Sequence, residues 1–94
     1  MIEYYVFRLP VKNQWKFMPW DKSFDLTWEN YVLVYVGEIK DGEDVLERIY
    51  EMLNVYQPAD YRIPSLSISD VVMLPEKEEF WYVDSIGFKR VWEE

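Results

Sequence analysis

The stretch "YVLVYVGEI", residues 31–39, constrains the fold of this chain more than any other. A continuous apolar, β-branched run of this length is too short for a buried helix and reads as a strand apolar on both faces. That predicts a central position, with a helix on one side and other apolar cover on the opposite side. Shorter runs of similar chemistry surround it. "EYYVFRL" (3–9) reads as a strand with Tyr5, Phe7 and Leu9 on one face and Tyr4 and Val6 on the other. "DVVML" (70–74), "FWYVDSI" (80–86) and "FKRVW" (88–92) read as closing strands, with "PEKEE" as a charged hairpin loop and Gly87 allowing a turn or bulge.

Helical periodicity occurs once, in "DGEDVLERIYEMLNVYQP". Val45, Leu46, Ile49, Tyr50, Met52 and Leu53 follow the spacing of an amphipathic face. Asp41 is the predicted N-cap, and Asn54 with Pro58 beyond it marks the end. The chain therefore predicts a single α+β domain over 1–94: a mainly antiparallel four- to five-stranded sheet with one amphipathic helix, about 42–55, on one face. The last three strands are expected to form a meander.

Residues 10–25, "PVKNQWKFMPWDKSFD", follow no sustained period. They predict a long loop whose Trp15, Phe17, Trp20 and Phe24 fold back over the sheet as a lid, or alternatively line a ligand groove. With five tryptophans, eight tyrosines and five phenylalanines, some aromatic surface is expected to stay exposed for a partner, with Trp15 and Trp20 as candidate anchors.

The chain has no cysteine and no histidine. Disulfides, thiolate metal sites and histidine-based zinc sites are thereby excluded, as are Ser–His and Cys–His nucleophile pairs. Only carboxylate, lysine or tyrosine chemistry remains. No cofactor and no metal is expected. No apolar run approaches the roughly 20 residues that cross a bilayer, and no basic-then-apolar leader opens the chain, so a cytoplasmic protein without membrane contact is expected.

"SLSISDVVML" (65–74) sets three serines and an aspartate before a strand. In one uninterrupted strand Asp70 would share a face with Leu66, Ile68, Val72 and Leu74, and an isolated buried carboxylate is costly. A turn or bulge at Ser69–Asp70, with Asp70 and the hydroxyls accepting from backbone N–H groups, avoids that cost. Ser65, Ser67 and Ser69 are then structural rather than nucleophilic: S-x-x-K does not occur, and no lysine lies near them in sequence. A carboxylate pair made by Asp70 and Asp84 across a hairpin is the alternative.

The run "YRIPSLSISDVVML", followed after a short loop by "FWYVDSIGFKRV", resembles the C-terminal signature of the YodL-like family. Its pattern is P-S-L-S-x-S-D-V-V/I and then Y-V-D-S-x-G-F-K, which places Ser65, Ser67, Ser69, Asp70, Asp84 and Gly87 in the shared motif. The resemblance covers about residues 41–92, taking in "PADYR" (58–62) and the acidic helix. It implies a small bacterial protein, or a module of larger proteins from plasmids, phages and conjugative elements, with no enzymatic activity attached.

The net charge of −8 is uneven. Residues 1–40 hold five acids (Glu3, Asp21, Asp25, Glu29, Glu38) and five bases (Arg8, Lys12, Lys16, Lys22, Lys40), so the whole excess lies in the remainder. Such a field repels nucleic acid and anionic membrane and favours a basic partner. On the predicted helix, Glu43, Glu47 and Glu51 form a line of like charge with steps of about 6 Å. Arg48 is left to pair with Asp44. These features predict a non-enzymatic protein-interaction module. The alternative is an acidic nucleic-acid mimic that blocks a host defence nuclease.

Overall fold

Alternation along the first strand decides how the sheet is covered. In the computed structural model, which describes residues 1–55 and 65–93, that strand is β1 (Ile2–Arg8). Ile2, Tyr4 and Val6 point to one side; Phe7 and, just beyond the strand, Leu9 point to the other. Both sides are apolar and both are covered, and β1 pairs with a strand on either side. β2 (Val32–Ile39), β3 (Val71–Leu74), β4 (Glu79–Val83) and β5 (Phe88–Val91) complete it in the order β2-β1-β3-β4-β5. Every neighbouring pair is antiparallel, and β3, β4 and β5 form the meander.

The helix α1 (Val45–Asn54) lies against the even side of β1. It buries Val45, Ile49 and Leu53 on Ile2, Tyr4, Val6, Ile39, Val72 and Leu74. Full burial of side chains of this kind stabilises by roughly 1.5–3 kcal/mol each. Its apolar stripe is narrower than the sequence spacing predicts, because Tyr50 and Met52 face solvent. The start also differs. Asp44 is the N-cap residue, while Asp41 accepts from the Gly42 N–H at 2.8 Å and pairs with Lys77 at 2.8 Å. A carboxylate with a lysine in reach is held there instead of turning to the helix end. Residues 56–64, which include Pro58 and Pro64 of the predicted connection, lie outside the described residues, as does residue 94.

The largest correction concerns β2. It is an edge strand, not a central one, and Val32, Leu33, Val34 and Val36 are exposed. A continuous apolar run records which strand avoids charge, not which has neighbours on both sides. Its pairing with β1 slips between Val6 and Phe7, where Val34 is the extra residue of a bulge.

Gly37 is the one glycine of β2, and the Tyr4 ring occupies the space a side chain would need. A Cβ built there would stand 2.5 Å from Tyr4 Cζ. Tyr4 is fully buried and has nowhere to retreat. Gly37→Ala is accordingly expected to lose about 2 kcal/mol of folding stability, as overpacking of a filled site does. Urea unfolding checks this; an unchanged midpoint would mean that Tyr4 can move.

Candidate interaction surfaces and the buried motif

Continuing the β1–β3 register one residue past Phe7 and Val71 sets Arg8 opposite Asp70. Asp70 is 1% exposed. Arg8 donates to both its oxygens, Nε to Oδ1 at 3.1 Å and Nη2 to Oδ2 at 2.8 Å. The Ser67 N–H donates to Oδ2 at 2.9 Å. The same guanidinium reaches the Ser65 carbonyl at 2.6 Å. Hydrogen bonding from Asp70 holds the Arg8 pKa above its ordinary value.

The chain turns at Ile68–Ser69, with the Asp70 N–H donating to the Ser67 carbonyl at 3.0 Å. Ser69 and Asp70 together oppose Val83: Ser69 N–H to Val83 O is 2.9 Å, and Val83 N–H to Asp70 O is 2.8 Å. Two residues against one is a bulge, and it leaves Ser69 at φ +85°. The helix end is tied in as well, since the Asn54 side chain donates to the Leu66 carbonyl and accepts from its N–H.

What this knot holds is the lid. The Phe17 N–H donates to Ser69 Oγ at 2.9 Å, and the Tyr31 hydroxyl donates to the Ser69 carbonyl at 2.8 Å. Asp84 Oδ1 accepts from the Trp20 N–H at 3.2 Å and from Ser85 N–H at 2.8 Å. The Tyr82 hydroxyl donates to the Met18 carbonyl, and Trp92 Nε1 to the Leu26 carbonyl at 3.0 Å. Gly87, at φ +71°, closes the turn by accepting from the Asp84 N–H. Ser69, Asp70, Asp84 and Gly87 thus form one structural device, joined by the backbone of Ser65 and Ser67. Asp70 and Asp84 accept from separate donors within it.

Trp15 and Trp20 are half-buried inside the lid. The Trp20 ring centre is 5.0 Å from that of Tyr82, and Trp15 lies 5.4 Å from Phe24. The exposed tryptophan is Trp28, 54% exposed, edge-on to Phe7 in the turn that leads into β2. Sequence reading missed Trp28, Arg8 and Tyr31. Arg8 carried a signal: it is the one arginine among the first 40 residues, on a strand otherwise free of positive charge.

On the helix side, a groove of about 310 Å³ runs between α1 and the sheet. Glu43, Glu47 and Glu79 line it, with Trp81 and Phe88 among its walls. Glu43 precedes α1, so the predicted line of three carboxylates on one helix is reduced to Glu47 and Glu51. Arg48 pairs with Asp44 at 2.9 Å. Lys77 also borders the groove but is engaged by Asp41. Among the described residues, no three acidic side chains gather into a metal-binding group, and no helix is long and apolar enough to cross a membrane.

Sheet, lid and acidic groove together define a small α+β domain. The chain belongs to the YodL-like domain family, whose pattern it matches over residues 2–93. The match extends beyond the 41–92 span of the motif resemblance and takes in β1 and the lid. No curated protein and no solved structure matches the chain.

Proposed function

We propose that this YodL-like domain is a non-enzymatic protein-interaction module whose partner offers a basic surface. The groove bounded by Glu43, Glu47 and Glu79 carries the reading. Glu79 is engaged by Arg90 at 3.9 Å and by Trp81 Nε1 at 3.1 Å, so Glu43 and Glu47 are the carboxylates that attract a cation. The Trp81 and Phe88 rings favour one that can lie against an aromatic surface, as an arginine or lysine side chain does. The acidic excess of the later half of the chain extends the same field. A bacterial or mobile-element origin and a cytoplasmic setting agree with the family resemblance.

Retention of partners from a native host lysate at low and physiological salt, with mass spectrometry of what is held, tests the proposal. Glu43→Lys with Glu47→Lys is expected to lower retention at least tenfold with the circular dichroism of the fold preserved, since both side chains are exposed. Retention unaffected by the double reversal would refute a basic partner at this groove. A second reading rests on Glu47 and Glu51, which stand one helical turn apart, about 6 Å, near the phosphate spacing of a nucleic-acid strand. In that reading the partner is a nuclease, and duplex DNA displaces the domain from it.

A further inference from the structure

Among the described residues, no strand pairs with the outer edge of β2. Natural sheets blunt their edges with short strands, charges or prolines, and β5 follows that habit with four residues that include Lys89 and Arg90. By contrast, β2 has eight residues and carries no charge from Val32 to Gly37. Leu33, Val34 and Val36 are 47%, 39% and 45% exposed, and Trp28, 54% exposed, lies in the turn that leads into the strand. At the other end of the strand lies a shallow groove of about 360 Å³ that Met1, Ile39 and Met52 share with the charged Glu38, Lys40, Arg48 and Glu51.

We infer that β2 pairs with β2 of a second copy of this chain, antiparallel about a two-fold axis near Tyr35 and Val36, giving one ten-stranded sheet. Three observations select a second copy as the occupant. An uncharged run set against itself opposes no like charges, and Glu38 then faces Val32 or Val34 of the other chain rather than its own counterpart. The edge belongs to residues 1–40, where acids and bases balance. The exposed parts of Val32, Leu33, Val34, Val36 and Trp28 come to roughly 450 Å² of surface. That total already includes the ladder backbone, so each chain contributes at most roughly 450 Å², the size of a weak, transient interface. An interface of that size suits a dimer with a dissociation constant in the micromolar range.

The test is sedimentation of the full chain from about 1 µM to about 1 mM, a range that brackets such a constant. A concentration-dependent dimer is expected, with backbone amides of Val32–Gly37 gaining hydrogen-exchange protection as it forms. Val36→Lys is expected to abolish the dimer while leaving the circular dichroism and melting temperature of the monomer intact, because the side chain is exposed. Added salt is expected to leave the dimer unweakened, since it screens the repulsion between two chains of net charge −8. Salt weakens the groove interaction proposed above, so the two ideas fail separately. A chain monomeric throughout the range, or a dimer that survives Val36→Lys or dissolves in salt, would overturn the inference. A strict monomer would assign the edge to a strand from another protein.

Discussion

Asp70→Ala is expected to remove about 3 kcal/mol or more of folding stability, the loss typical when one partner of a buried ion pair is deleted. The carboxylate is 1% exposed and accepts three hydrogen bonds, two from Arg8 and one from the Ser67 N–H. Truncation leaves a guanidinium and a backbone donor without their acceptor. The Arg8 side chain, 29% exposed, recovers part of its hydration, which places the expected loss at the lower end of the range. Small domains are stable by only about 5–15 kcal/mol, so this is a large share of the total.

The consequence reaches the lid. Ser69 holds its left-handed conformation because Asp70, Val83 and Tyr31 fix it on three sides, and a non-glycine residue at positive φ needs such support. Loosening of the turn frees the Phe17 and Tyr31 attachments, and the tryptophan fluorescence of the lid is expected to change at denaturant concentrations where the sheet persists. Arg8→Ala and the double variant complete a cycle. Each single change is expected to cost nearly as much as both together, giving a coupling above about 1.5 kcal/mol in urea unfolding. Additive losses below about 1 kcal/mol each would reduce the pair to an ordinary surface ion pair.

The sequence exposes what is local and hides what is long-range. The amphipathic spacing from Val45 to Leu53 marks α1, and the two-residue alternation of "EYYVFRL" assigns each side chain of β1 to its face. The cost of burying Asp70 in an apolar row points to an interruption at Ser69–Asp70, where the turn and bulge lie. Strand order was not legible: hydrophobicity places β2 at the centre, whereas in the sheet it pairs with β1 alone and β1 is the strand with two neighbours. Nor was the knot between motif and lid, because Phe17, Trp20 and Tyr31 are separated from Ser69 and Asp84 by 38 to 64 residues. Backbone donors and acceptors in a loop leave no trace in a hydropathy pattern. The helix cap went to Asp44 instead of Asp41 for a comparable reason, since Lys77 is distant in sequence and near in space.

Those same lid contacts give the molecule a sharp alkaline limit. Tyr4 and Tyr82 are held at pKa values of about 12, by burial first, then by Tyr35 beside Tyr4 and by Asp84 and Asp70 near Tyr82. Tyr31 is raised further by burial, with Tyr82 and Asp70 adding to it. For a tyrosine the protonated form is the neutral one, and in the unfolded chain it ionises near pH 10. Below that pH both states hold their protons and stability does not change on this account. Between about pH 10 and 12 the unfolded state releases protons that the folded state keeps, so stability falls as pH rises.

The slope of stability against pH is expected to approach three protons over that window, one each for Tyr4, Tyr31 and Tyr82. Two of the three hydroxyls are lid attachments, Tyr31 to the Ser69 carbonyl and Tyr82 to the Met18 carbonyl. Ionisation removes the donor and leaves an anion facing an acceptor, so the lid cannot stay seated. Tyrosinate absorbance followed alongside circular dichroism is expected to show these side chains ionising only as the fold is lost. Tyr4→Phe and Tyr82→Phe are each expected to lower the slope by about one proton, whatever they do to stability at neutral pH. Ionisation of all eight tyrosines near pH 10 with the fold intact would mean that the three hydroxyls are open to water, and that the lid is not closed over the sheet.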